Sequence, residues 1–362
     1  MEHTGTIPVG GIADPDLREV ALQPGPVASV QMAVDPATEQ AAQKDLVRWR
    51  AVRERLAGAG AATPALDALE ALVPDAHQHG TALLAVAGAD GARLVQYAGA
   101  APRRELARWS ALADLGPFIE RRQVELAHLV VVVEHTGADV VVDRGHGPVD
   151  IERAAGATSG PVHRASVGGW SQRHFEERVK HTWEEHAQAA ADRIAELARS
   201  VGARVIVVSG DARAITLLRG ALPPDVAGLV EVADGTASAG GHAAEAGVVH
   251  RLVHTVAARD TVAVLDAWRQ QLGEHGRATT GAGATLAALR EGNVEVLLVH
   301  DDVDDERFAF FGPAPEHASL DREDLIAMGV EPREGRLVDV AIRAALGTGA
   351  AVRVVPGHGG PL

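Results

Sequence analysis

Cysteine is absent from the 362-residue chain, which excludes disulfides, thiol catalysis, cysteine-ligated zinc fingers and iron–sulfur clusters together. Lysine is almost absent: Lys44 and Lys180 are the two, so the basic character rests on arginine. Aromatic residues make up 3% of the chain, which leaves Ala, Val, Leu and Ile to build the core. No apolar run reaches the roughly 18 residues that a membrane span needs. The densest run, Leu129–Val133, has the length of a strand. No basic stretch followed by an apolar one opens the sequence, so a secretion signal is not expected and a cytoplasmic location is. What is present, 46% hydrophobic and 23% charged residues, is the profile of a folded globular protein. The length is that of two to three domains.

The formal net charge is −15. Phosphate binding rests on cationic neutralisation, so the overall field of this chain repels nucleic acid, and DNA is not an expected partner. An RNA-binding role requires a local basic patch.

The hydrophobic pattern predicts an α/β fold in three α/β domains over residues 1–125, 126–235 and 236–362. In the first, Val27–Val34 reads as a strand. A helix from about Ala37, capped by Asp35, carries Leu46, Trp49, Val52, Arg53 and Leu56 near helical spacing. Thr63-Pro64 reads as a cap and first-turn proline. Thr81–Ala87 and Ala92–Ala98 read as strands around Asp90-Gly91, and residues 102–125 as a linker with a helical turn near Phe118–Arg122. Residues 1–25 show no period and read as loose chain or a short helix.

The second domain opens with Leu129–Glu134 and Asp139–Asp143 around Thr136-Gly137, a strand–turn–strand signal. Gly145–Gly169 reads as loop. Phe175, Val179, Trp183, Ala187, Ala190, Ile194 and Leu197 then form one apolar stripe on a helix from Ser171 to Ser200. Val205–Ser209 and Leu229–Val232 read as strands, with Asp211–Leu218 a helix between them. The third domain reads as helices over His242–Leu272, Thr279–Leu289 and Leu337–Ala345, with strands Val294–Val299 and Ala351–Val355. A further strand after Val355 is expected to finish the last domain, and whether the native C-terminus lies at Leu362 or beyond is left open by the sequence.

The stretch richest in chemistry is Val167-Gly168-Gly169-Trp170-Ser171-Gln172-Arg173. Adjacent glycines free the backbone for close approach, and Ser171 can cap the helix that follows. Over residues 161–181, Arg164, Arg173, Arg178 and Lys180 stand against Glu176 and Glu177, with His163, His174 and His181 interleaved. This is a basic, glycine-tipped loop in an acidic chain, although Gly-Gly pairs are also ordinary loop punctuation.

The ordered combination over about residues 25–355 resembles the archaeal and eukaryotic class I release factors and Pelota. It is more closely similar to their bacterial relatives of mycobacterial type, the branch that contains hibernation factors. Gly168 and Gly169 match the two glycines of the family's Gly-Gly-Gln loop, and Arg173 and Arg178 fall on the helix where the family has basic residues. Gly281-x-Gly283, Thr285, Leu286, Leu289, Gly292, Asn293, Val294 and Glu295 match in style in the last domain. The resemblance implies a middle domain of ribonuclease H-like topology and a C-terminal α/β/α sandwich of the release-factor type. It implies a ribosomal A-site ligand whose loop 163–173 points toward the peptidyl-transferase centre. It also implies contacts of the N-terminal domain with the decoding region and of the C-terminal domain with elongation factor Tu.

Trp170 stands where the family has its catalytic glutamine, and Gln172 lies two residues later. An indole has no amide to orient water, so a non-catalytic hibernation or stress factor is expected. In that role Trp170 stacks on a base while Arg164, Arg173 and Arg178 contact phosphates. Two alternatives stay open: a peptidyl-tRNA hydrolase or rescue factor using Gln172 with Gly168 and Gly169, and a non-ribosomal adaptor whose acidic surface binds a basic protein. No cofactor or metal is expected.

Weaker candidates complete the inventory. His250 and His254 have two-His metal spacing but no Glu in HExxH order, which favours ordinary histidines. His77 and His79 share a loop. The run Asp301, Asp302, Asp304, Asp305 and Glu306 lacks the glycine and terminal Glu of a calcium loop and reads as solvated. A nuclease on a ribonuclease H-like domain needs several carboxylates around two metals. Glu134, Asp139 and Asp143 are the candidates, the latter two on one face of a strand.

Overall fold

The computed structural model describes residues 11–23, 25–35, 40–102, 104–134, 137–145, 150–154, 187–233, 241–273, 277–302 and 304–355. The fold is mixed α/β. Contacts group the chain into two units, Met1–Gln123 with Asp260–Leu362, and Val124–Arg259.

The first unit is built on an antiparallel sheet of order β3-β2-β1-β4, from β1 (Val27–Ala33), β2 (Ala82–Gly88), β3 (Gly91–Ala98) and β4 (Leu106–Ser110). Every residue of β2 is buried, so the sheet has no wet face there. Ala28, Val30, Met32, Leu83, Ala85 and Ala87 face one apolar cluster. That cluster takes Trp49, Val52 and Leu56 from α2 (Ala41–Gly58), Leu66 and Leu69 from α3 (Thr63–Glu70), and Val73 and Ala76 from α4 (Val73–Ala76). The expected stripe on α2 is therefore observed. Its Arg53 leaves the core and pairs with Asp67 and Glu70, each at 2.8 Å.

Two caps differ from expectation. The N-cap position of α2 is Gln40, and Asp35 instead pairs with Lys44 and Arg48 at 3.4 and 3.3 Å. Ala62 is the N-cap position of α3, and Thr63 is already helical.

The opposite face of the sheet is covered by the rest of this unit. Val27, Ala82, Leu84 and Val86 join a continuous cluster with Leu17 and Val20 of α1 (Pro15–Leu22) and with Phe118 and Ile119 of α5 (Gly116–Arg122). The cluster continues into the C-terminal segment through Leu286 and Leu289 of α10 (Ala282–Arg290) and Val338, Ile342 and Leu346 of α12 (Leu337–Thr348). Burial of both faces explains why β2 reads as an unbroken apolar run and why residues 1–123 and 260–362 share one core. Ile12 pairs with Val352 in both directions, at 2.8 and 2.9 Å, so the described residues 11–23 form α1 and a bridge onto a later strand.

The C-terminal segment contributes a parallel pair, β10 (Val296–Val299) and β14 (Ala351–Val354), with α10 and α12 packed in the same cluster. Between them lies a three-stranded antiparallel sheet that the sequence pattern does not announce. It consists of β11 (Phe308–Phe311), β12 (Ala318–Ser319) and β13 (Arg333–Arg336), with α11 (Arg322–Ala327) between the last two strands.

The second unit holds β5 (His128–Glu134), β6 (Gly137–Asp143), β7 (Asp150–Ala154), a helix α6 over residues 187–201, β8 (Val205–Gly210), α7 (Ala212–Ala221), α8 (Pro224–Ala227) and β9 (Val230–Val232). It also holds the first part of α9 (Gly241–Gly273), as far as Arg259. The order is β7-β6-β5-β8-β9, with β5–β6–β7 antiparallel and β8 and β9 parallel to β5. Three strands in a meander followed by two parallel ones is the ribonuclease H-like arrangement that the resemblance implies.

Both faces of this sheet are covered where β8 crosses it. Ile206 and Val208 point into a cluster with Ile194 and Leu197 of α6 and Leu218 of α7. Val205 and Val207 point into another, with Val253 and Ala257 of α9. Asp211 caps α7, its carboxylate accepting from Arg213 N and Ala214 N at 3.0 and 2.9 Å. Asp211→Ala is expected to lower stability by about 1 kcal/mol, the usual worth of an N-cap, in a urea titration followed by circular dichroism.

Candidate nucleic-acid interface

The candidate RNA-binding residues Arg164, Gly168, Gly169, Trp170, Ser171, Gln172, Arg173, Arg178 and Lys180 lie outside the described residues, on the crossover between β7 and α6. The two ends of that crossover are described. It leaves from β7, which pairs through Ala154↔Ala138 with β6 and forms the edge of the sheet. It returns as α6, where Ala190, Ala191, Ile194, Ala195, Leu197 and Ala198 are buried. The expected stripe is thus observed over its described half, from Ala190 onward. It is broadened by alanines small enough to let the helix lie close to the sheet.

The outer face of α6 is not a bare basic track. Arg193 pairs with Glu196 at 2.6 Å, and Arg199 pairs with Asp225 at 2.9 Å. The Arg199 guanidinium holds the Asp225 carboxyl below its usual range. Such exposed pairs are worth little in stability, but they neutralise the arginines that carry them. Over the whole second unit, 17 acidic residues face 13 Lys and Arg, against 32 and 21 in the first unit. The second unit thus carries the smaller share of the negative charge.

Asp139 and Asp143 share one face of β6, opposite buried Ala138, Val140 and Val142, as alternation requires. Asp143 is used locally: its Oδ1 accepts from Gly145 N at 2.7 Å, and its Oδ2 lies 3.9 Å from His128 Nε2. The side chain of Glu134 lies outside the described residues. Among the described residues no group of three or more His, Asp or Glu side chains is placed to hold a metal ion. His250 and His254 stack with ring centroids 4.1 Å apart, and His79 stacks on Tyr97 at 4.7 Å.

In the acidic run at 301–306, Asp302, Asp304 and Glu306 are exposed, as expected of a solvated loop, whereas Asp301 and Asp305 are not. Asp304 pairs with Arg104 and Asp305 with Arg307, both at 2.7 Å. Asp301 turns inward onto Arg336 at 2.8 Å. Arg336 also pairs with Asp114 at 3.1 Å and Asp339 at 2.9 Å, and all four side chains are at most 7% exposed. Arg108 Nε lies 3.5 Å from Asp114 Oδ2, and that oxygen accepts no hydrogen bond. Burial, reinforced by the Asp339 charge, pushes the Asp114 carboxyl up to about 8. Burial also raises Asp339, against the pull of Arg336. Burial works against the Arg336 charge, but the surrounding carboxylates outweigh it and hold the guanidinium above its usual value. No local motif marks this cluster, because Asp114 and Arg336 are 222 positions apart.

Residues 127–274 match bacterial archaeo-eukaryotic release factor family 2. They span the meander, the Gly168-Gly169 crossover and all of α9. The matched segment covers nearly all of the second unit and extends past it to residue 274. Over the whole chain, an archaeal translation termination factor, aRF1, is 16% identical, with 94% of this chain and 89% of that one covered and a TM-score of 0.25. A structure of ribosome-bound archaeal Pelota and ABCE1 is 14% identical over 94% and 87% of the two chains, with a TM-score of 0.37. Superposition is poor at those scores. No curated protein matches the chain.

Proposed function

We propose that the protein is a ribosome-binding translation factor that occupies the A site without catalysis, as a hibernation or stress factor in the cytoplasm. The observation that carries this reading is the release-factor family match over a segment in which Trp170 stands in the place of the family's glutamine. Arg164, Arg173, Arg178 and Lys180 supply the phosphate contacts that the rest of the anionic chain does not, and Trp170 supplies a stacking plane. Gly168 and Gly169 let the backbone approach RNA closely. Three functional parts follow from the resemblance. Residues 1–125 face the decoding region, 126–235 carry the loop toward the peptidyl-transferase centre, and 236–362 contact elongation factor Tu. The lower excess of acid in the second unit supports giving the RNA contacts to that unit.

Sedimentation with empty 70S ribosomes tests the reading. Binding is expected to weaken steeply with salt, since each phosphate contact adds about one to the slope of log K against log salt. The double variant Arg173→Glu, Arg178→Glu is expected to lose at least tenfold in affinity and to show a shallower slope. Salt-insensitive or absent binding of the wild-type protein would refute it. In a release assay on stalled complexes, no hydrolysis is expected from the wild type. Activity that disappears in Gln172→Ala would instead favour a rescue hydrolase.

A further inference from the structure

The first and last segments of the first unit meet at the Arg336 cluster, and its charges do not balance. From the first segment come Asp114, just after β4, and Arg108 on β4. From the last come Asp301 after β10, Arg336 at the end of β13 and Asp339 in the first turn of α12. Three carboxylates thus surround one buried guanidinium, and the second, Arg108, is a quarter exposed. Arg336 spends its donors on Asp301, Asp114, both oxygens of Asp339 and the Asp302 carbonyl. The Asp114 Oδ2 accepts no hydrogen bond and, if ionised, would be a buried charge whose counter-charge at 3.5 Å is the part-exposed Arg108, a costly state.

Among the described residues, the remaining neighbours named by the contacts do not supply the missing cation. β1 offers the Ser29 hydroxyl, which accepts from Asp114 N at 3.0 Å. α5 offers Gly116, where a Cβ would sit 1.8 Å from Asp301 Oδ2. Arg307 is held by Asp305, and Arg104 by Asp304. His300, next to Asp301 in sequence, turns its Nδ1 to the Val355 carbonyl at 3.3 Å.

We propose that this cluster is a proton-dependent clasp between residues 1–123 and 260–362: it holds one proton when closed, shared by Asp114 and Asp339, and the join loosens when that proton leaves. The sign follows from linkage. A carboxyl raised in the folded state favours the closed form fully at low pH, and that advantage is lost as pH rises toward about 8. The clasp does not rest on the ribosome-binding reading, since its groups and its test belong to the free chain.

Hydrogen exchange of the full chain from pH 7 to pH 9, corrected for the intrinsic pH dependence of exchange, tests this. Peptides over 106–116 and 296–346 are expected to open up to about tenfold more per pH unit below pH 8, levelling off above it. Peptides from the second unit serve as the internal reference and are expected to stay flat. Asp114→Asn, or Asp339→Asn should the first not fold, is expected to flatten the profile, while Asp305→Asn keeps it. A flat wild-type profile overturns the proposal. So does a slope that survives in the folded asparagine variant.

Discussion

Arg336→Met is expected to destabilise the first unit by about 3–5 kcal/mol, the cost of removing one partner from a buried ion cluster. The methionine fills much of the same space, so the loss comes from charge. Asp114, Asp301 and Asp339 would be left buried around an apolar side chain, with the quarter-exposed Arg108 near. Urea denaturation at pH 7 measures it. The deficit is expected to shrink by pH 5, because carboxyls that can take up protons no longer need the guanidinium. A loss below about 1 kcal/mol at pH 7 would mean that the cluster contributes no net stability and that hydrophobic packing alone joins the two segments. Asp114→Asn is expected to be mild by comparison, because it replaces a carboxyl already raised by burial with a neutral isostere.

The second large effect is expected at Gly210, the last residue of β8. Its φ is 125°, and a Cβ there would lie 2.1 Å from the Val133 carbonyl oxygen of the adjacent strand. Gly210→Val therefore combines a backbone conformation that L-residues rarely adopt with a clash against main chain that cannot swing away. Together these are expected to cost about 2–5 kcal/mol. The damage falls at the β5–β8 pairing, beside the Asp211 cap of α7. Hydrogen exchange is expected to show lost protection over 128–134 and 205–221 while β1 to β3 keep theirs. Sedimentation with ribosomes is expected to fail with it. Retained ribosome binding in a protein with an unprotected second unit would move the RNA contacts elsewhere in the chain.

The strands and helices that were legible from sequence are those whose burial is written in their own side chains. Leu129–Glu134 and Val205–Ser209 are runs of β-branched residues, and the described half of the α6 stripe, Ala190, Ile194 and Leu197, is buried as its spacing requires. The missed strands are those held by their neighbours. β13, Arg-Glu-Gly-Arg, has no apolar residue and exists because Phe308–Phe311 pairs with it residue by residue. β4 buries only Leu106 and borders the sheet beside β1, and β7 lies inside a stretch whose Gly and Pro content reads as loop. The candidate interface was legible as a motif, Gly168-Gly169-Trp170, because glycine pairs and clustered arginines are local signals. The Arg336 cluster was not, because it is assembled from positions 114, 301, 336 and 339, each unremarkable among its sequence neighbours.

The Ile12–Val352 bridge and the burial of Leu17 and Val20 beside α12 residues have a consequence for biogenesis. The earliest residues to be made find their partners among the latest, whereas the second unit is contiguous from Val124 to Arg259. During translation the second unit has its whole sequence available well before the first can close. The nascent N-terminal sheet must therefore wait with one apolar face uncovered, and that interval is when a chaperone has most to protect.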